Sequence, residues 1–196
     1  NCLTTNLTAF FREEHHFHAL VDDLKAIAAR QPGKPLRIWC SAASTGEEPY
    51  SIAMTVVETL GSATPAHIVA SDIDTKVLAT AQRAVYGADA RGLSPERLQR
   101  HFLRGKGTNA GFLRVKPELA RLIDFRPFNL MSRGWSLGEP FDIIFCRNVM
   151  IYFDKPTQYK ILSRFAPQMS DNGLLFAGHS ESFLHASDLF RSQGKT

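Results

Sequence analysis

Apolar positions recur along the chain first at helical and then at strand spacing, and the alternation of the two periods predicts the elements. Phe17, Leu20, Val21, Leu24, Ile27 and Ala28 fall on one helical stripe. The breaker cluster Gln31-Pro32-Gly33-Lys34-Pro35 ends it, so a first helix is predicted over roughly 9–30. Leu36-Arg37-Ile38-Trp39-Cys40 then reads as a short strand. Tyr50, Ala53, Met54, Val57 and Leu60 trace a second helix stopping at Gly61, a residue suited to the left-handed position after a helix. Residues 67–71 form a second strand-like run, and Val77, Leu78, Ala81 and Val85 mark a third helix closed by Gly87. This β-α-β-α order predicts a parallel sheet with both faces covered.

Between about 88 and 128 the rhythm breaks. Ser94-Pro95-Glu96 has the cap and first-turn proline of a helix start. Short strand-like runs at 102–104, 111–116 and 121–128 follow, separated by the glycine-rich stretch 105–109 and by Pro117-Glu118. They predict a small antiparallel insert at about 95–125, whose last strand continues into the main sheet. The α/β rhythm returns with the apolar run Phe141–Cys146. Asp154 is placed to cap a helix carrying Ile161, Leu162 and Phe165, and Asn172-Gly173 to turn the chain into Leu174-Leu175-Phe176-Ala177.

Composition narrows the class. The 196 residues are 44% apolar, enough for one sizeable core, so one domain with a small insert is expected. Twenty-three Lys and Arg against nineteen Asp and Glu give a net charge of +4, too mild to argue for nucleic acid but favourable to an acidic partner. Cys2, Cys40 and Cys146 form no CxxC pair, so neither a disulfide framework nor a zinc site is suggested, and a reducing cytoplasm fits best. No apolar run approaches the ~20 residues of a membrane span, and residues 1–5 lack the features of a signal peptide. The expectation is a cytoplasmic protein with no direct membrane insertion.

In an open parallel sheet, ligands bind beyond the carboxyl ends of the strands. The loop 41–48, Ser-Ala-Ala-Ser-Thr-Gly-Glu-Glu, has one glycine where a dinucleotide fingerprint has three, and its two acids would repel a pyrophosphate. Glu47 and Glu48 suit a ligand with cationic groups, or simply complement the helix dipole. Asp72, at the tip of the second strand, is placed to accept both hydroxyls of a ribose, and Asp74 is more simply a helix cap. Arg147, Asn148 and Tyr152 follow a buried strand and read equally as a pocket floor or as a surface arginine with a core tyrosine. Ahead of the first helix, Thr8 is explained as a cap, whereas no periodicity explains Asn6 and Arg12. His15 and His18 share a helix face, but no third ligand is evident and no metal is expected. Cys40 and Cys146 read as small buried residues.

Assembled in order, these stretches resemble the chemotaxis receptor methyltransferases, the CheR family of S-adenosylmethionine-dependent protein-glutamate O-methyltransferases. The stretches are TTNLTAFFREEHHF (4–17), RIWCSAASTGEEPYSI (37–52), ASDID (70–74), FDIIFCRNVMIYFD (141–154) and GLLFAGHSE (173–181). The resemblance implies a class I methyltransferase fold, a Rossmann-like, mostly parallel sheet with helices on both faces and a small antiparallel β-subdomain. It divides the chain into a segment 1–30, carrying cofactor contacts and a helix, and a cofactor-binding domain 31–196; a helical domain before the chain and a last strand after it are expected to be missing.

By position in these motifs, Asn6, Thr8 and Arg12 are implied as N-terminal cofactor contacts, and Glu47 and Asp72 as acidic cofactor ligands, with Asp72 on the ribose. Asn129 with Leu130, and Arg147 with Asn148, are implied around the nucleoside and methionine parts, and Tyr152 near the transferred methyl. A family arginine of the first helix has no match here, Lys25 and Ala26 being nearest. The resemblance further implies S-adenosylhomocysteine as product, the cytoplasmic helical region of chemoreceptors as acceptor, and a receptor C-terminal peptide docking on the β-subdomain. Other readings are a methyltransferase with a different small-molecule or protein acceptor, and a cofactor-binding regulatory module without turnover.

Overall fold

The computed structural model describes residues 8–193. Five strands, β1 (Leu36–Cys40), β2 (Ala66–Asp72), β6 (Ile123–Pro127), β7 (Phe141–Cys146) and β8 (Met169–Ala177), form one parallel sheet in the order β6-β2-β1-β7-β8. β1 sits in the middle with β2 on one side and β7 on the other, so the strand order reverses at β1, and the crevice between the ends of β1 and β7 is the switch point where such sheets take ligands. Both faces are covered, and Ile38, Trp39, Cys40, Ile143, Ile144 and Phe145 are all fully buried. The continuous apolar character of these runs follows from that two-sided burial.

Helices α1 (His15–Arg30), α2 (Glu47–Leu60) and α3 (Thr75–Arg83) lie in the first half, and α6 (Lys155–Phe165) follows β7. The caps are those the sequence indicated: Asp74 Oδ1 accepts from Lys76 N at 2.8 Å and Asp154 Oδ1 from Thr157 N at 2.9 Å. Gly61 closes α2 at φ 87°. One core gathers α1, α2 and the first strands; the other centres on Trp39, Phe141 and Phe165 with Trp135 packed against them.

A second sheet, antiparallel and three-stranded, has the order β3-β5-β4, with β3 (Val85–Gly87), β4 (Phe102–Arg104) and β5 (Phe112–Val115). Two short helices, α4 (Pro95–His101) and α5 (Pro117–Ala120), flank it. The sheet thus begins before the expected 95–125 window, and β6, which overlaps the end of that window, belongs wholly to the parallel sheet.

Three expectations are corrected. The third helix does not run to Gly87: Ala84 turns left-handed at φ 56°, and Val85–Gly87 is the first strand of the small sheet. Asn172-Gly173 is not a turn before the last strand, because β8 is continuous and absorbs the extra residues as a bulge, its partners on β7 jumping from Phe141↔Met169 to Ile143↔Leu174. The first helix begins at His15, since Phe11 and Glu13 take positive φ of 52° and 56°. The reason is the adjacent pair Phe10-Phe11. Both rings are buried but in different places, Phe10 edge-on to Tyr86 of the small sheet at 4.9 Å and Phe11 edge-on to Phe17 of α1 at 5.1 Å, and packing holds the segment between them out of the helix. The segment crosses so close to Gly92 that a Cβ there would stand 1.8 Å from the Phe10 carbonyl oxygen. Thr8 therefore lies well before the helix and does not cap it; the cap position is Glu14, which makes no side-chain cap bond.

Candidate active site

Because all five strands of the large sheet run parallel, the loops after Cys40, Asp72, Pro127, Cys146 and Ala177 share one edge. At the first, Gly46 takes φ 101° and α2 starts immediately after it with Glu47 and Glu48. A Cβ on Gly46 would meet the Tyr86 hydroxyl at 2.6 Å, so only glycine lets this loop pass beneath the small sheet. Tyr86 Oη donates to Thr45 O at 2.9 Å and fixes that approach.

At the second tip, Asp72 Oδ2 accepts from Ser44 N at 2.8 Å and Oδ1 from Asp74 N at 3.0 Å. The carboxylate thereby bridges the first two loops. Each oxygen has accepted one amide from the protein, and a carboxylate offers about four acceptor positions, so capacity for a diol remains. Glu47 Oε2 accepts from Thr45 Oγ1 at 2.6 Å, and burial pushes its carboxyl above the ordinary range despite that bond.

The fourth loop holds the strongest electrostatic feature. Arg147 has a side chain only 1% exposed, and its guanidinium bonds Glu48 Oε2 through Nη1, Glu13 Oε2 through Nη2 at 3.2 Å, and the Arg12 carbonyl. Burial raises the Glu48 carboxyl, opposed by Arg147 and by a 3.3 Å contact from Cys40 Sγ. For Glu13 burial also acts upward, yet hydrogen bonds from Asn148 Nδ2 (3.2 Å) and His179 N (3.0 Å), with Arg147 beside it, bring the carboxyl down to about 2. Burial, with the Arg147 cation nearby, lowers His16 to about 4. Cys40 and Cys146 are buried as expected, and burial raises both thiols.

The fifth loop locks the fourth. Glu181 Oε2 accepts from Asn148 N (2.9 Å) and Gly178 N (2.7 Å), while Oε1 accepts from Val149 N (3.0 Å) and Met150 N (2.7 Å). Asn148 is left-handed at φ 58°, and a Cβ on Gly178 would lie 2.8 Å from its Nδ2. The remaining tip residues are more open. Asn129 is exposed and its Oδ1 accepts from Met131 N at 2.8 Å; Leu130 is 7% exposed in the second core. Tyr152 is 52% exposed at the end of a short 3-10 turn, Met150–Tyr152. Of the residues singled out from sequence, Arg12, Arg147, Asn148 and Glu48 meet in one network, Asp72 meets the backbone of Ser44, and Asn6 lies outside the described residues. Glu13 and Glu181 were missed. Glu13 had a signal, a carboxylate next to the unexplained Arg12; Glu181 had only its place after the last strand.

Residues 6–196 match the family model described as the CheR methyltransferase SAM-binding domain. The chain belongs to the CheR methyltransferase family. It is 57% identical to chemotaxis protein methyltransferase 2 of Pseudomonas aeruginosa over 198 residues, covering 100% of this chain and 70% of that protein. It is 53% identical to the chemotaxis protein methyltransferase of Escherichia coli (100% and 68% covered) and 51% identical to that of Salmonella typhimurium (100% and 67%). Its cofactor is accordingly S-adenosylmethionine, and the domain is that of a methyltransferase.

The edge fits that cofactor. Asp72 has acceptor capacity for two hydroxyls, Ile73 and Met131, beyond the second and third tips, are 68% and 43% exposed, and the first two loops carry carboxylates, a donor set compatible with a nucleoside that bears cationic groups. Two buried polar atoms without partners, Ser44 Oγ and Arg147 Nε, stand in the loops on either side of the switch point. No helix of the described residues is long and apolar enough to cross a membrane.

Proposed function

We propose that this chain forms glutamate methyl esters on the cytoplasmic helical region of chemoreceptors, and that it works in the cytoplasm. The relatives' names supply the chemotaxis context. The observation that carries the chemistry is the composition of the edge: buried and half-buried carboxylates on the first two loops, held by backbone amides and by Arg147. Such a site suits a cation, and the two described cysteines, buried thiols raised by burial, are not available to it as nucleophiles. The bound cofactor supplies a methyl group already activated on sulfur.

The acceptor glutamate needs no general base, because a carboxylate with an ordinary pKa of about 4.3 is ionised at neutral pH. The protein's part is to hold two reactants in line and exclude water. In this reading Asp72 takes the ribose hydroxyls, and Glu47 lies beside the cationic part. Asn6, Thr8 and Arg12 supply cofactor contacts from the N-terminal segment. Asn129 and Leu130 flank the base, Arg147 and Asn148 shape the methionine end, and the exposed Tyr152 orients the incoming carboxylate.

Acceptor docking is assigned to the small sheet. Residues 91–126 carry nine Lys or Arg against three Asp or Glu, which favours an acidic partner. β4 is an edge strand, and Leu103 and Phe112 are 49% and 51% exposed. An extended receptor-tail peptide adds to such an edge by main-chain hydrogen bonds, with the glycine-rich 105–111 loop beside it.

The test is transfer of labelled methyl from S-adenosylmethionine to receptor-containing membranes, followed by mild base. Esters release the label as methanol, as this reading requires. Stable label would mean a different acceptor atom, and S-adenosylhomocysteine binding without transfer would mean a regulatory module. Receptor-tail peptides titrated separately against the chain test the docking assignment; no saturable binding would reject it.

A further inference from the structure

The start of α1 holds a buried polar group that neither the fold nor the cofactor edge uses. His16 is 1% exposed and neither of its ring nitrogens has a hydrogen-bond partner. Its Nδ1 stands 3.4 Å from Glu13 Oε2. The left-handed turn at Glu13 brings that carboxylate back over the first turn of the helix, where His15 is exposed. One ligand atom each from Glu13, His15 and His16 lie within 4.8 Å of one another. Helical spacing pairs His15 with His18, but His18 meets Glu14 at 3.8 Å; the turn supplies the third ligand that the helix pattern lacks.

We propose that Glu13, His15 and His16 form a binding site for a transition-metal dication of the zinc class. Two imidazoles and a carboxylate are the donors of zinc sites that keep an open fourth position, and imidazole selects against calcium and magnesium. Water or His179, whose ring centroid lies 6.3 Å from that of His15, completes the sphere. With bonds of about 2.1 Å, ligand atoms around a tetrahedral ion stand about 3.4 Å apart. Rotation of the exposed His15 closes the present gap.

The ion would take Glu13 from Arg147, which keeps Glu48 and the Arg12 carbonyl. Glu13 also holds Asn148 Nδ2 and the His179 amide, so metal binding loosens two of the loops at the cofactor edge. The expected consequence is a weaker grip on the nucleoside, a step that rests on the cofactor reading of Arg147 and Asn148.

The metal-free chain is titrated with Zn²⁺ by calorimetry and with Co²⁺ by visible absorption. One ion per chain is expected, with the intense bands of tetrahedral Co²⁺; His15→Ala should weaken Zn²⁺ at least tenfold and His18→Ala should leave it unchanged. Absence of binding at micromolar Zn²⁺, or equal losses in both variants, overturns the site. S-adenosylhomocysteine is then titrated with and without Zn²⁺. At least threefold weakening by zinc in the wild type and none in His15→Ala supports the competition, and indifference to zinc overturns it. Failure of the nucleoside to bind the metal-free chain would count against the cofactor reading, while the Zn²⁺ isotherm judges the metal site by itself.

Discussion

Two arginines meet carboxylates at opposite ends of α2, and they are built to different ends. At the last turn, Arg97 grips Glu58 with two nitrogens, Nε to Oε1 at 3.1 Å and Nη2 to Oε2 at 3.0 Å; His101 Nε2 adds a 2.9 Å contact, and the guanidinium lies 3.7 Å over the Phe11 ring. The fork is complete, and the cluster joins α4 to α2 and to the N-terminal segment. At the first turn, Arg147 is more deeply buried yet less completely satisfied. Its partners come from two segments far away in sequence, Nε has none, and burial raises the Glu48 carboxyl. A cluster that only holds a fold closes on itself; one at a switch point keeps polar capacity for a ligand.

The sharpest way to break that contrast is Arg147→Met. It strands the Glu13 and Glu48 carboxylates, and removing one partner of a buried ion pair costs about 3–5 kcal/mol. Urea unfolding should show that loss, and calorimetry a fall in S-adenosylhomocysteine affinity of at least 100-fold. Arg147→Lys keeps the charge without the fork; it should fold and still bind more weakly. Unchanged nucleoside affinity in the lysine variant would make Arg147 a second structural staple like Arg97.

The Glu58 cluster should reveal itself in acid. Burial alone would raise this carboxyl, but hydrogen bonds from His101 and Arg97 bring it from an ordinary 4.5 down to about 2. In the unfolded chain Glu58 takes up a proton as pH falls through 4.5, while in the folded chain it stays ionised until about 2. The unfolded state therefore binds more protons in that window, and stability falls with pH by on the order of 2–3 kcal/mol between those values. Glu58→Gln should flatten this part of the plot of Tm against pH and leave nucleoside affinity near wild type. An acid slope as steep as wild type would show that other groups carry the dependence.

How much of this was legible in sequence divides along the same line. β6, an edge strand of half-buried Ile-Asp-Phe-Arg-Pro, read as the end of the insert running on into the main sheet, and β8 read as a strand only from Leu174. Strands β1, β2 and β7 were readable because two-sided burial makes each a compact apolar run, and Asp74, Ser94 and Asp154 announced their helices through caps that act over three residues. Ser94 Oγ, for example, accepts from Arg97 N at 3.3 Å. The small sheet was harder, since Val85–Gly87 continues the apolar spacing of α3 and only the left-handed Ala84 separates them. Asp72 stood out in the sequence because a strand tip is a local position. The Arg147 network was not, because its bonds to Glu13 and the Arg12 carbonyl cross about 135 positions of chain. No period or spacing encodes a contact of that range.

Asp72→Asn sharpens the comparison from the ligand side. An amide oxygen still accepts from Ser44 N or Asp74 N, so Tm should move little. The lost charge and the repulsion between amide hydrogens and ribose hydroxyls should weaken S-adenosylhomocysteine by about tenfold to thirtyfold, about 1.4–2 kcal/mol. A large drop in Tm with affinity intact would instead place Asp72 among the loop staples.

The smallest effect is expected at Tyr152. Its backbone N donates to Val149 O at 3.2 Å, its side chain is half exposed, and its hydroxyl makes no hydrogen bond among the described residues. Removing that hydroxyl costs the fold almost nothing, unlike either arginine cluster. If the hydroxyl orients the acceptor carboxylate against the methyl, Tyr152→Phe lowers turnover about tenfold, roughly 1.4 kcal/mol of transition-state stabilisation, while S-adenosylhomocysteine binds as before. The two quantities are separable because the nucleoside complex lacks the acceptor. Equal losses in turnover and affinity would move Tyr152 into the cofactor cage, and no loss in either would leave it a surface aromatic beside the edge.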